Sequence, residues 1–114
     1  MIHTTMYEPD ITVIRPGVQR LTAQNAKVFK DEVVALVNEG STQLVVDFQE
    51  VSFLDSSGLG SLVGILKKVG LRGEMVVCGL NSEVAQMFRI CRMDNVFNIY
   101  PDVNMAIQTL SERS

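Results

Sequence analysis

Histidine occurs once in the 114 residues, tryptophan not at all, cysteine twice and proline three times. Each scarcity closes a route. His3 is the lone imidazole, and Cys78 and Cys91 stand apart in apolar surroundings rather than as a CxxC pair, so no zinc ligand set can be assembled. The two thiols read as reduced, buried side chains of a cytosolic protein. A serine triad needs a histidine base, and His3 lies in a terminal segment. No basic stretch followed by an apolar run opens the chain, so residues 1–10 do not read as a secretory signal. The longest apolar stretch, 59–66, is broken by Gly60, Ser61 and Gly64 and runs into Lys67 and Lys68, far short of a spanning helix. A cytoplasmic protein with no membrane partner is expected. Positive charge is also short: 10 Lys and Arg against 13 Asp and Glu give a net charge of -3. With a pI near 5.0, that is the wrong sign for a domain that binds phosphate backbones, and no nucleic-acid partner is expected.

What remains is an ordinary globular composition, 46% hydrophobic and 20% charged, enough for one core. At this length the chain buries enough surface to fold without disulfide or metal. No repeat, linker or low-complexity stretch divides it, so residues 1–114 read as a single domain. Thr4 to Tyr7 and Ile11 to Arg15 form an N-terminal hairpin across Glu8-Pro9-Asp10, a turn-forming triplet. From Gln24 to Asn38, Phe29, Val33, Leu36 and Val37 follow one helical face, closed by Gly40. Leu44 to Phe48 is a nearly continuous apolar run, the form of a strand covered on both faces. Leu59, Leu62, Val63, Leu66 and Val69 make a second helical face ending at Gly70. Glu74 to Cys78 is a further buried strand. Asn81 caps a third helix carrying Val84, Met87, Phe88 and Cys91, and Val96 to Ile99 is the last strand. Asp102 caps a final helix carrying Val103, Ala106, Ile107 and Leu110. Strand and helix alternate after the hairpin, which predicts an α/β fold with a mixed, mostly parallel sheet of four to five strands and four helices.

One segment departs from simple structural logic: Phe53-Leu54-Asp55-Ser56-Ser57-Gly58-Leu59-Gly60, between the Leu44 strand and the second helix. Carboxyl ends of strands are where open α/β sheets meet ligands and partners, and a helix N-terminus there accommodates an anion. Ser56 and Ser57 are good N-cap residues. Neither Ser56 nor Ser61 lies in a Gly-x-Ser-x-Gly elbow. Gly58 to Gly64 spells GxGxxxG, one residue too long for a dinucleotide fingerprint, and its glycines read as close packing of helix on sheet. Asp47, Glu50 and Asp55 read as solvated surface carboxylates, with no four-ligand metal set among them.

The run Leu44-Val45-Val46-Asp47-Phe48 followed by Val51-Ser52-Phe53-Leu54-Asp55-Ser56-Ser57-Gly58-Leu59-Gly60 resembles the signature of anti-sigma-factor antagonists, the stand-alone members of the STAS domain family. The likeness extends through Gly73 to Leu80, Val84, Met87-Phe88 and the Val96 to Ile99 segment. The resemblance implies the STAS fold and partner switching. In that scheme the unphosphorylated protein binds an anti-sigma factor that is also an ATP-dependent serine kinase, and the sigma factor is freed. A PP2C-like phosphatase restores the binding form. The phosphoacceptor directly follows the Asp, which maps to Ser56, while Ser57 matches a neighbouring position not usually modified. Asp55, Ser57, Gly58, Leu59 and Thr22 are the expected partner-binding neighbours. Thr22 stands where many relatives carry Asp near the acceptor, and it can cap the first helix or hydrogen-bond there. No cofactor, metal or catalytic residue is implied. The alternatives are an unswitched STAS scaffold subunit of a larger regulatory or lipid-transport assembly, and an enzyme or sensor using the helix N-terminus as an anion site. Met87 and Phe88 read as core, and Met93 as a possible extension of an apolar patch.

Overall fold

The computed structural model describes residues 1–7 and 10–113, without the side chain of Arg113. Its elements run β1 (His3–Tyr7), β2 (Ile11–Arg15), β3 (Arg20–Leu21), α1 (Ala26–Asn38), β4 (Gln43–Asp47), β5 (Phe53–Leu54), α2 (Ser56–Val69), β6 (Glu74–Cys78), α3 (Ser82–Ile90), β7 (Ile99–Tyr100) and α4 (Val103–Arg113). The hairpin turn expected at Glu8-Pro9-Asp10 falls at its first two residues outside the described ones.

The main sheet has the order β1-β2-β4-β6-β7. Only the β1 and β2 pair is antiparallel, with Thr4 opposite Ile14 and Met6 opposite Thr12. The remaining pairs are parallel. Successive side chains on a strand point to opposite faces, and both faces here are covered. Leu44, Val46, Met75 and Val77 join Phe29, Val33, Leu62, Ile65 and Phe88 under α1, α2 and α3. Val45, Val76, Cys78, Ile11 and Val13 meet Ala106 and Leu110 of α4 on the other side. That two-sided burial is why β4 and β6 read as continuous apolar runs instead of alternating ones. Phe88 sits between Phe48 and Phe97 in two edge-on ring contacts, at 6.2 and 6.1 Å.

Three expectations change. The last strand is not Val96 to Ile99 but Ile99–Tyr100. Arg92 takes a left-handed conformation, φ 58°, and the N–H groups of Val96 and Phe97 both donate to the Met93 carbonyl. Those donors are spent in a tight turn, so ladder pairing starts only where Val77 N–H reaches Asn98 O. The first helix starts at Ala26, two residues late, because the Thr22 carbonyl accepts from Asn25 and Ala26 N–H in a preceding turn. Asp47 is not a solvated carboxylate: it is 5% exposed, and Oδ1 accepts from the Gln49 N–H at 3.0 Å and from the Cys78 thiol.

Candidate functional site

The sequence pattern did not foresee β3 and β5, two residues each, which pair in parallel as a small second sheet: Arg20 opposite Phe53 and Leu21 opposite Leu54. This pairing carries the loop before α1 to the start of α2. The Arg20 guanidinium lies over the Phe53 ring at 4.3 Å, a cation–π contact on the rim. The next register step sets Thr22 and Ala23 beside Asp55.

Asp55 is the N-cap of α2, and the serines are not. Its backbone is extended, φ -103° and ψ -174°, and its side chain accepts from Gly58 N–H at 3.0 Å through Oδ1. Oδ2 accepts from Ala23 N–H at 3.2 Å. One carboxylate therefore satisfies a helix-end donor and ties down the loop preceding α1. The Gly58 donor, helped by Ala23 and Ser57 and opposed by partial desolvation, holds the Asp55 carboxyl below its ordinary value. The expectation that Ser56 or Ser57 caps the helix is thus replaced: both are helical residues of the first turn, and both are exposed. A carboxylate forms the stronger hydrogen bond to backbone N–H at this positive helix end.

The six residues singled out from the sequence come together, in different capacities. Ser56 and Ser57 are displayed; Asp55 and Thr22 are half-buried. Gly58 and Leu59 are buried, Leu59 at 3% exposure, so they build the surface from beneath. Thr22 does not cap α1. Its hydroxyl accepts from Gln24 N–H at 3.3 Å, and its own N–H donates to the Asn25 side chain at 3.0 Å. Asn25 occupies the N-cap position without a side-chain capping bond, its amide turned back to Arg20 O.

Beside Ser56 opens a small apolar cavity lined by Leu59, Gly60, Val63, Cys91 and Met93. A second groove, between β5 and α3, is lined by Phe53, Asp55, Glu83, Gln86, Met87 and Ile90. Ile90 is 67% exposed. Met93 and Cys91 therefore join Ser56 at the surface, while Phe88 is fully buried and Met87 half-buried against the core. The turn that brings Met93 here is the one made by left-handed Arg92. Among the described residues there is no group of three His, Cys, Asp or Glu placed to hold a metal, and no helix long and apolar enough to cross a membrane.

This architecture, a mixed sheet with an Asp-capped, serine-bearing helix at the carboxyl end of its strands, defines a class of small α/β domain. The STAS domain model matches residues 5–106, and the chain belongs to the STAS domain family. It is 30% identical over 92 residues to the anti-sigma F factor antagonist of Paenibacillus polymyxa, covering 80% of this chain and 74% of that one. A Thermotoga maritima crystal structure, provisionally described as an anti-sigma factor antagonist, superposes with a TM-score of 0.86 at 22% identity, over 95% of this chain and 92% of that one. The Bacillus protein SpoIIAA in its phosphorylated form gives 0.72 at 18% identity, over 96% and 99%. Homologues of this chain are thus anti-sigma factor antagonists, and its fold is theirs.

Proposed function

We propose that this chain is an anti-sigma factor antagonist whose hold on its anti-sigma partner is switched by phosphorylation of Ser56. The observation that carries the reading is the division of labour at the start of α2. Asp55 does the capping, which leaves the Ser56 hydroxyl exposed and free at the edge of an apolar cavity. An exposed apolar rim with a modifiable hydroxyl at its edge suits a partner surface that one charge can close.

The unphosphorylated form binds the anti-sigma factor, which releases its sigma factor. The partner is also the kinase. The Ser56 Oγ attacks the γ-phosphorus of its bound ATP, ADP departs, and the hydroxyl proton passes to the kinase's base. A phosphoserine brings roughly -1.5 to -2 charges beside the ionised Asp55. Like-charge repulsion and desolvation in the interface then weaken the complex by several kcal/mol. The positive end of α2 accommodates the added charge within the domain, so the fold persists while binding is lost. A PP2C-like phosphatase hydrolyses the phosphoester and resets the cycle, which runs in the cytoplasm. Asp55, Ser57 and Thr22 border the contact, and Gly58 and Leu59 support it.

A pull-down from host lysate with wild-type, Ser56→Ala and Ser56→Glu baits tests this, with phosphosite mapping of wild type incubated with ATP. A kinase-like ATPase held by wild type and by the Ala variant and lost with the Glu variant, together with a phosphoryl group on Ser56, is the expected result. If all three baits hold the same proteins and Ser56 stays bare, the chain is an unswitched scaffold subunit instead.

A further inference from the structure

The two edges of the main sheet are finished differently. At one edge β7 is two residues long and follows directly on the turn made by Arg92, so little ladder is open there. At the other, β1 runs the five residues His3–Tyr7, an ordinary strand length. An open ladder of that length is a template for another strand, and sheets guard such edges with charged side chains, proline, bulges or a covering element. β1 carries none of these. Its residues are His, Thr, Thr, Met and Tyr, and its register with β2 runs unbroken from His3 opposite Arg15 to Tyr7 opposite Ile11. All five residues are exposed, so among the described residues no element lies over the strand. Met6 is 67% exposed and Tyr7 41%, and threonine and tyrosine are good strand formers.

We propose that β1 is a self-association edge: it pairs antiparallel with β1 of a second copy of this chain about a twofold axis, so that two five-stranded sheets continue as one. The ladder itself chooses the register. In the antiparallel β1 and β2 pair, alternate residues of β1 send both N–H and C=O to β2, and the residues between them send theirs outward. A second β1 meets the outward groups only where facing residues are both outward or both inward, which requires their numbers to sum to an even value. The register of that kind that engages all five residues sets Thr5 opposite Thr5 of the second copy, Thr4 opposite Met6 and His3 opposite Tyr7. The side chains agree with it. Thr5, His3 and Tyr7 lie on one face of the sheet and Thr4 and Met6 on the other, so a threonine pair and an aromatic ring beside an imidazole meet on the axis face, and no two formal charges oppose each other. An identical strand thus satisfies the edge in backbone pattern, length and charge at once, which is why a second copy is the occupant assigned. β1 lines neither the cavity beside Ser56 nor the groove between β5 and α3, so this contact is independent of the switch at Ser56, and the dimer displays that surface twice.

Sedimentation equilibrium of the full chain over a range of concentrations tests the pairing. A reversible species of twice the 12.6 kDa chain mass is expected, and a monomer at every concentration overturns the proposal. Thr5→Lys and Thr5→Glu each set like charges against one another on the axis, and each is expected to weaken self-association about tenfold or more. An equimolar mixture of the two variants restores it, because opposite charges then face each other. Thr5 is exposed, so both variants keep the native fold, which circular dichroism checks. A dimer that neither substitution weakens overturns the edge, and a mixture that stays monomeric overturns the register. Amide hydrogen exchange of the wild type needs no variant: the outward N–H groups of β1 slow as concentration rises, and exchange there that ignores concentration overturns the edge as well.

Discussion

Gly58 and Leu21 meet backbone to backbone: a Cβ on Gly58 would stand 2.5 Å from the Leu21 carbonyl oxygen. Only Leu59 separates this position, which tolerates nothing, from one that is open, since a Cβ at Gly60 would meet no atom within 4 Å. Gly58→Ala is expected to cost about 2 kcal/mol or more, because the obstruction is backbone that cannot rotate away. Gly60→Ala is expected to stabilise by about 0.5 to 1 kcal/mol, the helix-interior preference of Ala over Gly. Thermal melts of the two variants should move in opposite directions.

Asp55→Ala removes a cap and the tether to Ala23 together, and is expected to destabilise by about 1 to 2 kcal/mol. The pH dependence has a definite sign. Folding depresses the Asp55 carboxyl, so its contribution is complete above the ordinary carboxylate value of about 4 and disappears as pH falls through the lower folded-state value. Urea midpoints at pH 7 and pH 3 should therefore drop less on acidification in Asp55→Asn than in wild type.

Phe88→Ala opens a void between two rings at once. A loss of about 3 to 5 kcal/mol is expected, read by chemical denaturation. Phe88→Leu should retain most of that stability.

Burial, with the Asp47 and Asp102 carboxylates, pushes the Cys78 thiol up to about 12. Cys91 is half-buried on the rim of the Ser56 cavity. Maleimide at pH 8 should label Cys91 in the native protein and leave Cys78 untouched until the chain is unfolded, since the thiolate is the reacting species. Equal labelling of both native thiols would contradict this placement.

Much of the architecture was written in local pattern. The apolar runs of β4 and β6 and the faces of α1, α2 and α3 declare themselves through periodicity, and Asn81 caps α3 as its position suggests, accepting from Val84 N–H at 2.8 Å. Met105 N–H likewise donates to Asp102 at 2.9 Å. What pattern missed depends on partners distant in sequence. The β3 and β5 strands are two residues each, too short for any alternation to register, and form only because Gln19 to Leu21 and Ser52 to Leu54 are brought together by the core. Asp47 was misjudged because an isolated carboxylate reads as surface, whereas its acceptors are used by Gln49 and by Cys78 on the neighbouring strand. The motif around Ser56 was legible as a group, yet its internal roles were not. That Asp55 caps and Ser56 does not follows from the extended backbone at Asp55 and from Ala23, 32 residues earlier in the chain.

The assignment of the helix cap to Asp55 has an evolutionary corollary. The side chains at positions 56 and 57 owe the fold no hydrogen bond, so serine, threonine, alanine or glutamate can be exchanged there at little thermodynamic penalty. Descendants of such a sequence can gain, lose or move an exposed hydroxyl by single substitutions while the scaffold stays intact. The chemistry displayed at the start of α2 is thus separable from foldability, residue by residue, and can drift faster than the shape that displays it.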